Sequence, residues 1–332
     1  MNSDKNSIVT RTIVNEIVAW IAASLLLFSS LYFLSRYSYI LFHSIIEFLS
    51  VTVGWAIFII AWNIRKRFGN GFLLIFGIGL LFIGIFDFLH ALTYKGMGVL
   101  SSTNGNHPTQ LWIAARFLES LSLAVAFFLT GKKPRLSIIL TIYFFVTIAA
   151  IVFIFVIPIF PDCYVDGVGL TSFKIISEYI ISVFLIISAI VFYINRDFFE
   201  KKLYPYIFIM LLTKIVAELF FTAYVSVYGL ANFFGHIAKA ASLGLTYYIF
   251  IYSGVTKPYF LMKIKLKELS GLMPICANCK KIRDDKGYWE QVERYITSHS
   301  EALFTHTICP DCMNKLYPDL VEKVKSRNNT SS

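Results

Sequence analysis

Charge is what this sequence has least of. Only 15% of its 332 residues are Asp, Glu, Lys or Arg, against about 25% in an ordinary soluble domain. Hydrophobic residues make up 57% and aromatic residues 17%. This composition excludes a soluble globular chain, and it excludes a disordered one, which would need low hydrophobicity and high charge. Cysteine is sparse too: five in the whole chain are too few for a disulfide-built scaffold. No HExxH helix, phosphate-cradling loop or nucleophile elbow occurs, so an enzymatic reading has nothing to start from. Acidic residues are outnumbered, 20 against 30 basic, for a net charge of +10. From Gly271 onward, however, 9 Lys or Arg face 8 Asp or Glu. The stretch that reads as soluble is thus nearly neutral, and no nucleic-acid partner is expected.

What the chain has instead is long apolar runs. Eight are long enough to cross a bilayer as a helix, which takes about 20 residues: Ile13–Leu34, Tyr39–Ile64, Gly71–Leu92, Pro108–Thr130, Leu136–Ile159, Phe173–Ile194, Leu203–Tyr228 and Ala231–Tyr252. They predict an all-α integral membrane protein whose eight-helix transmembrane bundle occupies residues 1–256. The first run follows a polar tail and lacks a small-residue cleavage site, so it reads as a retained span. Arg65, Lys66 and Arg67, then Lys132, Lys133 and Arg135, then Arg196, Lys201 and Lys202 fall in alternate loops, and a lysine-rich stretch follows the last run. The other loops hold only Arg36, Lys95 and, at a helix edge, Lys174. The basic loops face the cytoplasm, which puts both termini there, and the lysine-rich stretch would also meet anionic lipid.

Ionisable groups inside apolar runs are costly, at least about 2.5–3.5 kcal/mol each near the bilayer centre, and mark functional sites. Here they come at helical spacing: His43 with Glu47, Asp87 with His90, Arg116 with Glu119, Lys174 with Glu178, Lys214 with Glu218, His236 with Lys239. Separations of three and four put each pair on one helix face. In the predicted orientation nearly all lie in the outer half of their helices, which suggests a polar pocket reached from outside. Tyr94 and Trp112 join the candidate ligand-binding residues. Internal salt bridges holding a bundle together would explain some pairs, although Gly77, Gly79 and Gly84 offer a simpler packing device. The alternatives for the layer are a small ligand, an ion path or proton-linked switch, and a metal or haem held by His43, His90 and His236.

After the last run comes a juxtamembrane basic linker at 257–270, which reads as a short amphipathic helix on the inner leaflet or a direct extension of the last span, although its alternation would also fit a strand. A four-cysteine module at 271–326 and a disordered tail at 327–332 follow. Cys276-x2-Cys279 and Cys309-x2-Cys312 offer four thiolates in two turns, the pattern of a tetrahedral structural zinc. An iron–sulfur cluster or thiol redox switch is the alternative, and His306 is a spare ligand. A disulfide suits the reducing cytoplasm poorly. Asp284 to Gly287 reads as a turn, Trp289, Val292, Tyr295 and Ile296 recur at helical spacing, and a second helix is expected near Pro310. Cys163, alone on the outer side, is expected to be a packed or free thiol.

Several linked motifs carry a resemblance. His43-x3-Glu47-Phe48, Asp87-x2-His90-x3-Tyr94-Lys95-Gly96-Met97, Gln110-x-Trp112-x3-Arg116-x2-Glu119 and Gly169-Leu170-Thr171-x-Phe173-Lys174-x3-Glu178-Tyr179 look like the third family of bacterial membrane-associated sensor domains, over roughly Ile17 to Val255. Such domains usually precede a PAS domain, a histidine kinase or a diguanylate cyclase. Only about 75 residues follow the last helix here and no GGDEF motif occurs, so an output other than a kinase or cyclase is expected. The run from Gly271 to Trp289, continuing through His299-Ser300 and Cys309-Pro310 to Leu316-Tyr317-Pro318, is similar to a cysteine-rich segment ending many bacterial PAS-containing and response-regulator proteins. The resemblance implies a multi-pass sensor of the bacterial inner membrane. Its ligand would come from the extracytoplasmic side, its partners would be a cytoplasmic signalling protein and lipid, and a homodimer is compatible with it. A transporter or channel is the competing reading, although no inverted repeat is visible and Pro205 and Gly244 are weak candidates for a broken helix.

Overall fold

The computed structural model describes residues 2–65, 71–100, 105–222, 229–270, 274–283 and 287–321, with side chains from residue 15 onward except 17, 20 and 266–270. The predicted start of the four-cysteine module and its tail, the three residues before Gly287 and the end of the seventh run lie outside them. The chain divides into two compact units, Met1–Phe260 and Leu261–Ser332.

In the first unit the apolar runs are helices: α1 (Asn2–Tyr37), α2 (Tyr39–Ile64), α3 (Gly71–Thr93), α4 (Asn106–Phe128), α5 (Leu136–Phe155), α6 (Ser172–Ile194), α7 (Tyr204–Thr222) and α8 (Leu230–Ile251). Among the described residues six helices are long and apolar enough to cross a membrane, namely α2 to α6 and the segment Lys201–Thr222 that contains α7. The other two expected spans fall short of that measure for different reasons. The apolar part of α1 is counted from Ile21 to Tyr37, and α8 carries Asn232, His236 and Lys239 on its buried face.

Contacts α2–α3, α3–α4, α4–α6, α6–α7, α7–α8 and α8–α2 close a ring of six helices, while α1 packs on α2 and α5 on α3 and α4 from outside. Helix α3 is the most buried of the six candidate spans. Its glycines allow close approach: a Cβ on Gly77 would lie 2.3 Å from the Cβ of Ala61 on α2. A large cluster including Phe72, Phe76, Phe127, Phe192 and Phe250 fills one end of the ring, and the polar layer lies towards the other.

At that polar end, a short antiparallel hairpin pairs β1 (Tyr164–Val165) with β2 (Gly169–Leu170) and turns through Gly167 at φ 81°, a left-handed conformation that favours glycine. Asp166 at its tip pairs with Lys95 at 2.7 Å. Asn106 donates to Asp162 at 2.7 Å and accepts from the backbone N–H of Cys163 at 2.8 Å. Cys163 is a buried free thiol, and burial pushes it up to about 12. Thr171 caps α6 by accepting from the backbone N–H of Lys174 at 3.2 Å.

Past α8 the chain makes a π-helical turn, Tyr252–Thr256, and continues as α9 (Lys257–Ser270), so the linker is helical and not a strand. Glu200, in the α6–α7 connection, accepts from the Tyr252 hydroxyl and pairs with Lys257 at 2.6 Å. In the second unit β3 (Ile282–Arg283) pairs with β4 (Trp289–Glu290), followed by α10 (Val292–His299) and α11 (Pro310–Leu316). Trp289 is therefore a strand residue, not part of the expected helix. Its helical spacing to Val292 is coincidental, because the residue is taken up by the ladder to Arg283. The helix near Pro310 forms as expected, with the proline at its first position, where its missing N–H costs nothing.

Candidate functional site

Helical spacing correctly puts the ionisable residues on buried faces. His43, Glu47, Asp87, His90, Tyr94, Trp112, Arg116, Glu119, Lys174, Glu178, Lys214, Glu218, His236 and Lys239 are all 7% exposed or less. They come from the six ring helices and, for Tyr94, the residue just after α3. Among the described residues no buried Asp, Glu, His, Lys or Arg comes from α1 or α5.

Most partners lie across helices and not along them. Arg116 of α4 grips both carboxylate oxygens of Asp87 on α3, at 2.7 and 2.9 Å, a bidentate geometry that fixes orientation as well as charge. It also pairs with Glu119 one turn on, and Glu119 in turn takes Lys214 of α7. Lys214 is thus held by α4 and not by Glu218. Lys239 of α8 bonds Glu47 of α2 at 2.6 Å and stands 3.5 Å from Asp87. Lys174 and Glu178 do pair within α6, at 2.8 Å, and Lys174 also donates to the backbone carbonyl of Phe221. Trp112 donates to Glu178 at 3.2 Å, while Glu218 sets its carboxyl against that of Glu178.

The layer holds five buried carboxylates, Glu47, Asp87, Glu119, Glu178 and Glu218, against the four cations Arg116, Lys174, Lys214 and Lys239. A buried charge needs a counter-charge, so the excess carboxylate calls for a proton or a cation.

The three histidines meet at one edge of this network. His43 Nε2 lies 3.1 Å from His90 Nε2, and His236 Nε2 lies 3.3 Å from Glu47 Oε1. The Nδ1 atoms of His90 and His236 point at backbone carbonyls, Pro108 O and Asn232 O, each at 2.7 Å. The Tyr94 ring stacks on His43 with centroids 3.6 Å apart. The Pro108 carbonyl left no trace in the sequence, because backbone acceptors carry no residue signature.

Two cavities touch the layer. One, with room for little more than a water molecule, is lined by Lys95, Thr109, Trp112, Lys174 and His236 among others. The other, similarly small, is lined by Asp87, Arg116, Glu119, Lys214, Lys239, Ser50 and Ser242 among others. Ser50 and Ser242 were not singled out by sequence, since serines in helices usually bond their own backbone, as both do here.

The four tail cysteines form two local turns. Cys276 donates its N–H to the Lys281 carbonyl at 2.8 Å and accepts from the Lys280 N–H at 3.0 Å, with Lys280 in the left-handed region at φ 60°. The backbone N–H of Cys279 points at the Cys276 thiol and lowers its pKa, and that of Cys312 does the same for Cys309. Among the described residues the set of three or more metal-competent side chains that converges is His43, Glu47, His90 and His236, not the thiols.

A ring of apolar helices around a buried charged layer defines a polytopic helical membrane protein with a polar site inside it. The model of the membrane-associated sensor domain family MASE3 matches residues 34–258, more than half of the chain, and the chain belongs to that family. No curated protein and no solved structure matches it.

Proposed function

We propose that the protein is a non-enzymatic sensor of the bacterial inner membrane, with eight spans and both termini in the cytoplasm. It takes a small ligand or ion from the extracytoplasmic side into the polar layer and relays occupancy to the four-cysteine module. The observation that carries this reading is the double role of α8. His236 and Lys239 bond or face Glu47 and Asp87 on two other helices, and the same helix runs through the π turn into α9. Single-turn π segments concentrate at functional positions, and this one is latched by Glu200 through Tyr252 and Lys257. A change in the partners of Lys239 would therefore shift α8 against α2 and α3 and strain the latch.

In this reading Cys276, Cys279, Cys309 and Cys312 hold one structural zinc, which supplies much of the folding free energy of a small module, and the module docks a signalling partner. The relay is tested in the full chain in nanodiscs, in chelator-treated buffer, by hydrogen exchange from Lys257 to Cys279. Glu47→Gln should melt near wild type yet change exchange there several-fold. Identical exchange would overturn the relay. Ion flux in proteoliposomes above the protein-free rate would favour a channel instead.

A further inference from the structure

We propose that His43, Glu47, His90 and His236 are the ligands of a divalent first-row transition-metal ion. The proposal rests on the sensor reading of this layer and names its signal. The carbonyl oxygens of Pro108 and Asn232 can only accept, so the hydrogens of the two 2.7 Å contacts sit on Nδ1 of His90 and His236. That leaves Nε2 of each ring aimed inward, at His43 and Glu47 respectively. Backbone carbonyls holding the far nitrogen are how metal-binding imidazoles are oriented.

His236 Nε2 faces Glu47 Oε1 at 3.3 Å, and neither atom has a hydrogen-bond partner, although both side chains are at least 97% buried. A proton on His236 or a cation between the two atoms would satisfy both, because an unpaired buried polar atom is costly. His43 Nε2 is 3.1 Å from His90 Nε2. On a tetrahedral ion with bonds of about 2.0–2.1 Å, neighbouring ligand atoms stand roughly 3.3 Å apart, which both separations approach. All four ligand atoms lie within 4.8 Å of one another, so binding would draw α2, α3 and α8 together.

Imidazole and carboxylate together suit zinc, iron(II) and their neighbours better than calcium or magnesium, which take oxygen. Two imidazoles on a haem iron would stand roughly 4 Å apart with the macrocycle between them, so the 3.1 Å spacing suits a bare ion. Lys239 supplies the switch. It bonds Glu47 Oε2 at 2.6 Å and is 3.5 Å from Asp87, so an ion on Oε1 weakens its hold on Glu47 and favours Asp87.

The test uses the full chain with all four tail cysteines changed to serine, titrated with cobalt(II) and zinc. One equivalent of cobalt should bind, with the visible bands of a four-coordinate ion and no thiolate charge-transfer band. His90→Asn and Glu47→Gln should each weaken binding by at least about 100-fold, while His107→Asn, outside the cluster, should not. Should either variant fail to fold, X-ray absorption on the four-serine parent decides: a nitrogen and oxygen shell with imidazole scattering supports the site, and a shell of water alone overturns it. No bound ion, or unchanged affinity in His90→Asn, also overturns it. Metal binding without a change in hydrogen exchange after Lys257 keeps the site and removes the relay. A relay sensitive to Glu47→Gln in protein that binds no ion does the converse.

Discussion

The membrane ring and the cysteine module each offer four side chains suited to a metal, but they arrive at them differently. In the ring the four come from three helices, are buried, and have the far nitrogens of two rings pinned by carbonyls. In the module they come as two CxxC turns in which Cys279, Cys309 and Cys312 are exposed and Cys276 partly so. A ring built from long apolar helices has tertiary packing to hold polar groups in place before any ligand arrives. A module of a few dozen residues buries too little apolar surface to do so. Order at the first site therefore belongs to the fold, and order at the second would have to come from the ion.

The sharpest way to break this contrast is Arg116→Met. It removes the cation facing Asp87 and Glu119 and should cost about 3–5 kcal/mol, the loss typical of stranding a buried charge. Size-exclusion and thermal melting in detergent should show a collapsed membrane unit. Cys309→Ser should leave that melt untouched while making the module protease-sensitive, and equal losses from both changes would erase the distinction.

Thiol chemistry gives the next largest difference. Burial puts the Cys163 thiol near 12, which holds its thiolate about a thousandfold or more below that of an ordinary thiol. The lowered thiols of the partly exposed Cys276 and the exposed Cys309 should alkylate rapidly in chelated native protein. Peptide mapping of iodoacetamide adducts reads this directly, and early labelling of Cys163 would contradict its packing.

Gly77→Val sharpens the comparison from the packing side. The Cβ has no room against Ala61, and overpacking of this kind costs about 1–3 kcal/mol. The melt of the membrane unit should fall while module proteolysis stays as in wild type.

The smallest effect concerns the latch at the start of α9. Lys257 holds the Glu200 carboxyl below its ordinary range, so the pair stabilises above the unfolded carboxylate value near 4.3. That contribution is lost as pH falls through the lower folded value. With Glu200 and Lys257 side chains 31% and 44% exposed, the contribution is screened to about 0.5 kcal/mol. Wild type should melt slightly above Glu200→Gln at pH 7, and the gap should close as the pH is lowered through the acid range. A gap that persists into acid would mean the latch is not ionic.

Much of this protein is set by its one-dimensional pattern. Apolar length fixes the helices, since a segment without water must bond its own backbone. The residues that could not be lipid-facing were legible because a charge deep in an apolar run has to point inward, and Leu136 to Phe155, a run with no such charge, is left outside the ring. Local turns were legible too, as at Pro310. What the pattern could not determine is who pairs with whom. Spacing suggested Lys214 with Glu218 and His43 with Glu47, but Lys214 reaches Glu119, 95 positions away, and Glu47 takes Lys239, 192 positions away. Helical periodicity reports only which face a residue is on. The partner depends on which helix the packing brings to that face, and on backbone carbonyls such as Pro108 that any residue could have supplied.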